Sequence, residues 1–224
     1  MINDQISGQD SSSNIYYAIE RLPLISMLDR APGRVLEIGC GTGLSLKYLK
    51  EHGATSTVGV ELRDDVAKAA IAHGGVDKVY NINFIDESLP DDEGPFDTVI
   101  FSHVLEHFPD PGYILNKIKR NLAADARLLI ALPNIRHWSV IFPLIFKGEF
   151  TYKDSGILDH THLRFFTKSS SIALLENSGF NVIDCKLEIN GRKSRMLNLL
   201  SFGLANEFAG YAINMLTKLD GKSK

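Results

Sequence analysis

Residues 34–52, with the sequence RVLEIGCGTGLSLKYLKEH, decide the fold of this chain. The first five residues are mostly apolar and predict a buried strand, and the residues from Leu44 onward have the apolar spacing of a helix. Between these elements, Gly39, Gly41 and Gly43 allow backbone amides to approach a ligand at the helix N-terminus without interference from side chains. The stretch therefore predicts a strand, a ligand-binding loop and a helix in direct succession.

An acidic residue follows the glycine loop at a distance typical of nucleotide-binding folds. A second strand is predicted at 57–61, and its last residue, Glu61, lies about where a carboxylate meets the ribose hydroxyls of a bound nucleoside. NAD is disfavoured because Leu44 replaces a glycine of the dinucleotide fingerprint and because Glu37 would repel a pyrophosphate. The alternative for the three glycines is a tight turn without a ligand, and the alternative for Glu61 is a solvated strand end. The pattern favours a nucleoside-bearing cofactor, with a nicotinamide-dependent oxidoreductase as the competing class.

Strands and helices alternate along the rest of the chain. Strands are predicted at 34–38, 57–61, 78–82, 96–102, 127–132, 181–189 and 210–216, and helices at 16–28, 44–52, 64–72, 112–122, 169–178 and 194–208. Asp110 can cap the helix 112–122, and Pro111 suits its first position. Such alternation implies right-handed crossovers and a mostly parallel α/β sheet with helices on both faces.

The composition is that of one ordinary globular domain. The chain has 224 residues, 44% of them hydrophobic, and a formal net charge of -3, so no nucleic acid is expected as a partner. Cys40 and Cys185 suit a reducing compartment better than a disulfide framework. Residues 1–13 do not resemble a signal peptide, and the longest apolar stretch, 138–146, is shorter than the roughly 20 residues of a spanning helix. We therefore expect a soluble, cytoplasmic protein.

Several segments resemble the class I S-adenosylmethionine-dependent methyltransferases. Residues 35–43 are similar to the first motif of that family, residues 96–100 and 103–111 to its fourth-strand motif, and Pro133-Asn134 to the residues that follow its fifth strand. The resemblance covers most of residues 35–134. It implies a Rossmann-like, seven-stranded sheet whose last strand is antiparallel, with S-adenosylmethionine lying across the ends of the first strands.

The resemblance also implies which residues bind the cofactor. The residues that match cofactor-binding positions are Glu37, Gly39, Gly41, Gly43, Glu61, Asn83, Phe84, Ser102 and His103. The first four form the loop under the methionine part, Glu61 corresponds to the ribose ligand, and Ser102 and His103 correspond to the methionine side. Asn83 departs from the family, which usually has an aspartate at the adenine position. An asparagine amide can still meet the adenine amino group.

Residues 156–167 combine an acid, two histidines, an arginine and two aromatic residues within an irregular stretch that we interpret as a cap over the sheet edge. The segment resembles a subgroup of these methyltransferases that is often encoded with glycosyltransferases of bacterial surface-polysaccharide pathways. The residues that match the subgroup are Asp159, Thr161, His162, Arg164 and Phe166. Tyr16, Tyr17 and Arg21 resemble its amino-terminal helix, which closes over the methionine end of the cofactor; Tyr17 and Arg21 are therefore expected to bind the cofactor.

Methyl transfer to a hydroxyl needs a base, and a histidine oriented by a carboxylate suits that role. We expect His162 to be the base, paired with Asp159 or Glu106, and we expect Glu106, Arg164 and Phe166 on the acceptor side. In the structural alternative, Asp159 and Arg164 form a buried ion pair and His162 hydrogen-bonds the backbone.

Other polar and apolar features have simpler interpretations. His107 is interpreted as a turn or packing residue, and His160 with His162 offers too few ligands for zinc, so no metal is expected. Residues 193–215 are apolar enough for a helix that lies on a membrane or lines an acceptor cleft. Packing on the domain or at a dimer interface is the simpler alternative for that segment.

The sequence thus predicts a single domain over residues 1–224, with an amino-terminal helix at 14–30, a cofactor-binding core at 34–133 and cap insertions at 134–167 and 190–208. Its expected activity is methyl transfer from S-adenosylmethionine to a small-molecule or glycan acceptor, most simply a hydroxyl in surface-polysaccharide or related biosynthesis. The alternatives are a cofactor-binding protein without turnover and an N- or C-methyltransferase of a secondary metabolite. We also consider three further partners: a lipid-linked substrate, a membrane surface in peripheral contact, and a second copy of the chain in a homodimer.

Overall fold

The structure, a computed structural model, describes residues 21–221. Its strands form one sheet in the order β3-β2-β1-β4-β5-β7-β6. The strands are β1 (Arg34–Ile38), β2 (Ser56–Val60), β3 (Lys78–Tyr80), β4 (Phe96–Ser102), β5 (Leu122–Pro133), β6 (Phe180–Glu188) and β7 (Ala212–Leu219). The direction in which strands are added reverses between β1 and β4. Open α/β sheets bind ligands outside the carboxyl ends of their strands at such a point.

Strand pairing is parallel except around β7. Parallel pairs join β1 to β2 and β4, β2 to β3, and β4 to β5, whereas β7 runs antiparallel to both β5 and β6. The helices are α1 (Leu44–Glu51), α2 (Asp64–Ala72), α3 (Pro111–Ile118), α4 (Trp138–Lys147), α5 (Lys168–Asn177), α6 (Arg192–Leu200) and α7 (Asn206–Ala209). The predicted mostly parallel sheet with an antiparallel last strand is confirmed.

Local sequence signals set the boundaries of two helices as predicted. Gly43 occupies the N-cap position of α1 in a left-handed conformation, with φ 77°, so the glycine loop leads directly into the helix. At α3, Oδ1 of Asp110 accepts a hydrogen bond from the Tyr113 amide at 3.0 Å, and Pro111 is the first helical residue. Both helices therefore begin where a residue with the required conformation or acceptor stands.

The largest difference from the predicted elements lies after α3. This helix ends at Ile118, a 3-10 turn covers Lys119–Asn121, and β5 begins at Leu122, earlier than predicted. Residues 123–125, Ala-Ala-Asp, have low strand propensity, so their local pattern does not indicate a strand. They extend β5 because Leu122 pairs with Phe96 of β4 across a register shift. Tertiary pairing overrides local propensity at this point.

Apolar side chains cover both faces of the sheet. In β1, Leu36 and Ile38 belong to one buried cluster, which also contains side chains of α3 and α5, and Val35 belongs to a second cluster with side chains of α1. Successive strand residues point to opposite faces, so the two clusters lie on the two sides of the sheet. Each fully buried large side chain contributes about 1.5–3 kcal/mol. The sheet is thus a firm support for the loops at its carboxyl edge.

Two segments outside the alternating pattern carry the cap elements. The first contains α4 and returns to the sheet at a bridge between Asn134 and Phe166, and the second contains α6 and α7. The hydroxyl of Ser194 joins the two segments, because it accepts a hydrogen bond from Trp138 Nε1 at 2.9 Å and lies 3.1 Å from Nε2 of His137. Burial lowers the pKa of His137 to about 4, so its imidazole is neutral at neutral pH.

The predicted amino-terminal helix begins before the described residues. Residues 21–25 are helical, whereas Tyr16 and Tyr17 lie outside the part of the chain that the structure describes. Across residues 21–221, every helix is too short or too polar to cross a membrane.

Candidate functional site

The three glycines of the loop share left-handed conformations but have different surroundings. The φ angles of Gly39, Gly41 and Gly43 are 70°, 56° and 77°. A Cβ atom at Gly39 would lie 2.8 Å from Cγ2 of Val104, and one at Gly43 would lie 2.5 Å from another valine side chain, so packing closes both positions. At Gly41 the nearest described atom is Nη2 of Arg21, 3.9 Å away. The loop therefore leaves open space beside Gly41.

The carboxylate of Glu61 is held by two backbone amides directly after β2. The Gly41 amide donates to Oε2 at 2.9 Å, and the Arg63 amide donates to Oε1 at 3.0 Å. The side-chain amide of Asn81 donates to the backbone carbonyl of Glu61 at 2.9 Å and so fixes the chain there. A carboxylate oxygen with one donor still has capacity for a second. Glu61 can therefore accept hydrogen bonds from two neighbouring hydroxyls without moving.

A cleft of about 640 Å³ lies at the carboxyl ends of β1, β2 and β4. The predicted cofactor residues that line it are Arg21, Gly39, Glu61, Asn83, Phe84, Ser102 and His103. Its volume falls in the range of roughly 300–1,000 Å³ typical of small-molecule sites. His107 and Thr161 also line the cleft. His107 lies in the 3-10 turn Leu105–His107, as the interpretation as a turn residue expects, and it reaches the cleft as well. Its position just after β4, at the carboxyl edge of the sheet, is the signal that could have indicated this.

The two residues predicted at the adenine position line the cleft and have additional partners. Nδ2 of Asn83 donates to Oδ2 of Asp86 at 2.7 Å, and Oδ1 of Asn83 accepts from the Ile85 amide at 3.1 Å. Phe84 is buried in the main core, with the ammonium group of Lys117 5.0 Å from its ring centroid. The loop after β3 is therefore ordered by its own contacts. The Asn83 carbonyl oxygen keeps one lone pair for a further donor.

Glu37 is a fully buried carboxyl group two residues before the loop. Its Oε1 accepts a hydrogen bond from Nη1 of Arg21 at 3.0 Å, and the same nitrogen donates to Oγ of Ser45 at 3.1 Å. Oε2 has no hydrogen-bond partner within residues 21–221. Burial raises the pKa of Glu37 to about 7, against the opposing effects of Arg21 and Ser45. A buried acid with an unused acceptor atom is a candidate partner for a cationic ligand group.

His103 lies where the large cleft meets a second one. The second cleft, of about 240 Å³, has a lining that combines apolar side chains with the polar residues Glu188, Asn190 and Asn214. His103 has φ 53°, a conformation that is uncommon for a residue other than glycine and that concentrates at functional sites. Its side chain is 43% exposed, and its Nδ1 lies 3.6 Å from Oε1 of Glu106. The junction of the clefts thus presents an exposed imidazole with a carboxylate close to it.

His162, the predicted base, is buried and lines neither cleft. Its Nε2 lies 3.9 Å from Oε1 of Glu106, and its Nδ1 lies 3.0 Å from the carbonyl oxygen of Ile157. Asp159, the other predicted partner, accepts hydrogen bonds from the amide and the hydroxyl of Thr161 at 2.8 and 2.7 Å. These hydrogen bonds lower the pKa of Asp159. The structure brings Glu106, and not Asp159, to the free side of the His162 ring.

Arg164 and Phe166, predicted on the acceptor side, lie instead in the joint between the cap and the sheet. Nε of Arg164 donates to the carbonyl of Pro109 at 2.9 Å, and Phe166 is buried in the main core. The Arg164 amide also donates to the backbone carbonyl of Glu106 at 3.0 Å. Neither side chain lines either cleft, because both side chains hold the cap against the sheet. The Arg164 guanidinium bonds the Pro109 carbonyl, and the Asp159 carboxylate bonds Thr161. The ion pair between Asp159 and Arg164 that the structural alternative expected is therefore not formed.

Comparison with known proteins identifies related sequences. The profile of a family described as "Methyltransferase domain" matches residues 12–184. A ubiquinone biosynthesis O-methyltransferase from Xylella fastidiosa (strain 9a5c) is 28% identical over 171 residues, which cover 75% of this chain and 66% of that relative. The matched part of the chain thus spans slightly less than two thirds of the length of this curated relative.

Solved structures with the same fold are also similar. An S-adenosylmethionine-dependent methyltransferase from Mesorhizobium loti has a TM-score of 0.63 at 16% identity, with 88% of this chain and 97% of that chain covered. Magnesium protoporphyrin IX methyltransferase from Synechocystis PCC 6803, solved with bound SAH, has a TM-score of 0.62 at 15% identity, with 97% and 90% covered. At these identities the likeness establishes the fold.

Proposed function

The chain belongs to the methyltransferase-domain family, and on this basis we propose that it transfers a methyl group from S-adenosylmethionine to a hydroxyl of a small-molecule acceptor. The family profile spans residues 12–184, which include the glycine loop, β1 to β5 and the first cap segment. The observation that carries the proposal is the Glu61 carboxylate, held by the Gly41 amide at the wall of an open cleft. This arrangement suits a nucleoside with free ribose hydroxyls.

Residues around the large cleft suit the other parts of the cofactor. The carbonyl oxygen of Asn83 has a lone pair for the adenine amino group. The guanidinium of Arg21, which lines both clefts, suits the carboxylate of the methionine part. Glu37 lines neither cleft, but its Oε1 holds this guanidinium in place. Tyr17, expected on this side from the resemblance, lies outside the described residues. A cofactor held in this way would supply its methyl group near Ser102 and His103, which line both clefts.

Methyl transfer requires the protein to align the two reactants more than to take part in covalent catalysis. Methyl transfer from a sulfonium is an in-line displacement, so the site must align the acceptor oxygen with the methyl carbon and exclude water. A hydroxyl acceptor must also lose a proton. The geometry favours His103 as the base, because its ring is exposed at the junction of the clefts and Glu106, 3.6 Å away, would stabilise the imidazolium. His162 then serves as a positioning residue behind Glu106, and Asp159 orders the cap loop through Thr161.

The second cleft supports a polyhydroxylated acceptor. Its walls carry a carboxylate and two amide groups, and Oε2 of Glu188 accepts a hydrogen bond from Nδ2 of Asn214 at 3.1 Å. Such groups bind hydroxyls in pairs, which favours the glycan acceptor expected from the resemblance to the surface-polysaccharide subgroup. The second candidate is an acceptor of the ubiquinone biosynthesis type, which the name of the Xylella relative favours. Both candidates are O-methylations.

Large apolar side chains on the cap support a lipid-linked acceptor. Phe146, Leu199, Phe202 and Leu204 are 78%, 76%, 96% and 90% exposed. Exposed apolar patches mark interfaces with membranes or proteins, and a homodimer is the competing interpretation. Co-sedimentation with anionic vesicles, together with the oligomeric state in solution, separates the two. A monomer that binds the vesicles supports the lipid-linked acceptor, and a stable dimer that ignores them supports the dimer interface.

The proposal is tested with the full chain and S-adenosylmethionine that carries a labelled methyl group. Sugar, lipid-linked and phenolic acceptors are offered in parallel, and the label is located in the product. Label on an oxygen atom of one acceptor class supports the proposal and identifies the class. Label on nitrogen or carbon would assign a different methyltransferase. Cofactor binding without transfer to any of these acceptors would favour a binding protein without turnover.

A further inference from the structure

Three potential metal ligands meet beside the large cleft although they are far apart in the sequence. Glu106 and His107 belong to the 3-10 turn Leu105–His107 after β4, and His162 belongs to the cap. One carboxylate oxygen and one ring nitrogen from each histidine all lie within 4.8 Å of one another. Backbone hydrogen bonds from the amides of residues 163 and 164 to the Glu106 carbonyl, at 2.9 and 3.0 Å, hold the cap to the turn. The cluster is therefore part of the fold and does not depend on flexible side chains alone.

The Glu106 carboxylate lacks the partners that a buried charge requires. It is fully buried, and neither of its oxygens has a hydrogen-bond partner in the described part of the chain. The nearest basic atoms are Nδ1 of His103 at 3.6 Å and Nε2 of His162 at 3.9 Å, both too far for a hydrogen bond. An isolated buried carboxylate is strongly unfavourable, so a cation close to this group would stabilise it. A metal ion held by the neighbouring histidines would supply that charge.

The two histidines have the second contacts that metal-ligating histidines usually have. Nδ1 of His162 lies 3.0 Å from the carbonyl oxygen of Ile157, and Nδ1 of His107 lies 3.2 Å from that of Thr161. A ring that donates its Nδ1 proton to a carbonyl keeps the lone pair of Nε2 for a ligand. For His162, this is the nitrogen on the side of Glu106. The backbone carbonyl therefore orients the ring and leaves Nε2 as the atom available to a metal ion.

We propose that Glu106, His107 and His162 bind one divalent transition-metal ion, with Zn²⁺ as the best fit. Two imidazole nitrogens and one carboxylate oxygen suit zinc, whereas Mg²⁺ and Ca²⁺ prefer oxygen ligands throughout. Ligand atoms about 2.0–2.2 Å from a tetrahedral ion lie about 3.3 Å apart. The 3.9 Å between Glu106 and His162 must therefore shorten by roughly half an ångström, and ligand atoms as much as 4.8 Å apart by about 1.5 Å, so metal binding requires rotation of the histidine side chains as well as of the carboxylate.

The ion would connect the cap to the sheet. His162 lies on the cap, Glu106 and His107 lie on the turn after β4, and His107 lines the large cleft. Metal binding would thus fix the cap at the edge of the cleft and supply the positive charge that Glu106 lacks. Glu106 also lies 3.6 Å from His103, the base of the proposed methyl transfer, so the metal site is tested by binding and stability and not by turnover.

The test uses the full chain after treatment with a chelator and its removal. Zn²⁺ is titrated by calorimetry, Co²⁺ is titrated as a spectroscopic probe of ligand type, and Mg²⁺ serves as the oxygen-preferring comparison. The variants are Glu106→Gln and His162→Asn. The matched control is His160→Asn, which changes an exposed histidine two positions away on the same loop. Circular dichroism establishes that each protein is folded.

We expect one equivalent of Zn²⁺ to bind the wild type and the His160→Asn control, to raise the melting temperature of both, and to bind far more tightly than Mg²⁺. Glu106→Gln and His162→Asn should each weaken Zn²⁺ binding by at least 10–100-fold, on the order of what even supporting residues of metal sites contribute. Wild type that binds no Zn²⁺, or binding that neither substitution weakens, would overturn the proposal. If one variant fails to fold, the other carries the test.

Discussion

The backbone amide of Gly41 donates a 2.9 Å hydrogen bond to Oε2 of Glu61, which directly follows the neighbouring strand. This contact joins the loop after β1 to the end of β2, so the loop conformation and the position of the carboxylate depend on each other. The Arg63 amide holds the second carboxylate oxygen at 3.0 Å. Because the carboxylate is ordered before a ligand arrives, little conformational freedom is lost on binding.

Replacement of Glu61 by alanine should weaken cofactor binding by about 1–3 kcal/mol, the scale of charge-assisted hydrogen bonds to hydroxyls. Glu61→Gln, which keeps an acceptor for the Gly41 amide, should fall between the wild type and Glu61→Ala. Calorimetric titration of S-adenosylmethionine measures all three. Asp125→Ala is the control, because it removes an exposed carboxylate that pairs with Arg30 and lines neither cleft. Equal affinity of the wild type and Glu61→Ala would place the ribose contact elsewhere.

Replacement of Gly41 by valine should abolish cofactor binding in a folded protein. The residue has φ 56°, and a branched side chain would occupy the open space beside Arg21. Gly53→Val is the control, because Gly53 also has a positive φ, 97°, but has no neighbouring atom within 4 Å of an added Cβ. Both variants should lose stability through backbone strain, and only Gly41→Val should lose affinity. Unchanged affinity in that variant would show that no ligand lies beside the loop.

The buried carboxyl of Glu37 should make stability depend on pH. Burial raises its pKa to about 7, so the folded protein keeps a proton that the unfolded chain releases above pH 4.5. The unfolding free energy of the wild type should therefore fall between pH 4.5 and 7, by about 3 kcal/mol relative to Glu37→Gln, and this difference should stay constant above pH 8. Urea unfolding at several pH values measures it. A difference that does not change with pH would mean that Glu37 is ionised in the fold.

Replacement of His103 by asparagine should lower turnover by roughly 10²–10⁴-fold, the usual loss for a general base, with cofactor affinity within a few-fold of the wild type. The reason is its exposed position at the junction of the clefts, 3.6 Å from Glu106. His52→Asn changes an exposed histidine that stacks on Tyr48 away from both clefts and should leave the rate unchanged. Full turnover in His103→Asn would remove His103 as the base.

Replacement of His162 by alanine should lower the melting temperature more than the rate per folded molecule. This ring is buried between the Ile157 carbonyl and Glu106, so its removal leaves a cavity and an uncompensated acid. Thermal melts and steady-state rates, corrected for the folded fraction, separate the two effects. If turnover falls as far as in His103→Asn while folding and cofactor binding stay intact, His162 is the base that the sequence analysis expected.

The parts of the fold that depend on local signals could be predicted from the sequence. The apolar run of β1, the left-handed glycine before α1 and the Asp110-Pro111 start of α3 each act within a few residues, and each element begins where predicted. Glu61 could be placed at the ribose position because the spacing of a β-α-β unit is nearly fixed. The start of β5 could not, because it depends on pairing with β4 and not on the propensity of residues 123–125.

The polar cluster of the cap shows what sequence spacing cannot supply. Asp159 is close to His162 along the chain, but the folded loop turns its carboxylate to Thr161. The acid that lies near the His162 ring is Glu106, from a turn after β4 that the cap reaches only through tertiary contacts. Arg164 and Phe166 are residue types that suit ligand contact. In the fold, however, Arg164 bonds the Pro109 carbonyl and Phe166 is buried in the main core, so both residues hold the cap against the sheet. Such assignments depend on which surfaces meet, and one sequence does not contain that information locally.

Equilibrium titration of the full chain by calorimetry determines whether the cleft beside Gly41 and Glu61 binds S-adenosylmethionine. We predict saturable binding of one S-adenosylmethionine per chain, competition by its demethylated product, and no measurable heat with NAD at the same concentrations. Binding should raise the melting temperature in proportion to ligand excess over the dissociation constant. A folded protein that gives no saturable binding of S-adenosylmethionine, or that binds NAD in its place, would show that this cleft is not an S-adenosylmethionine site.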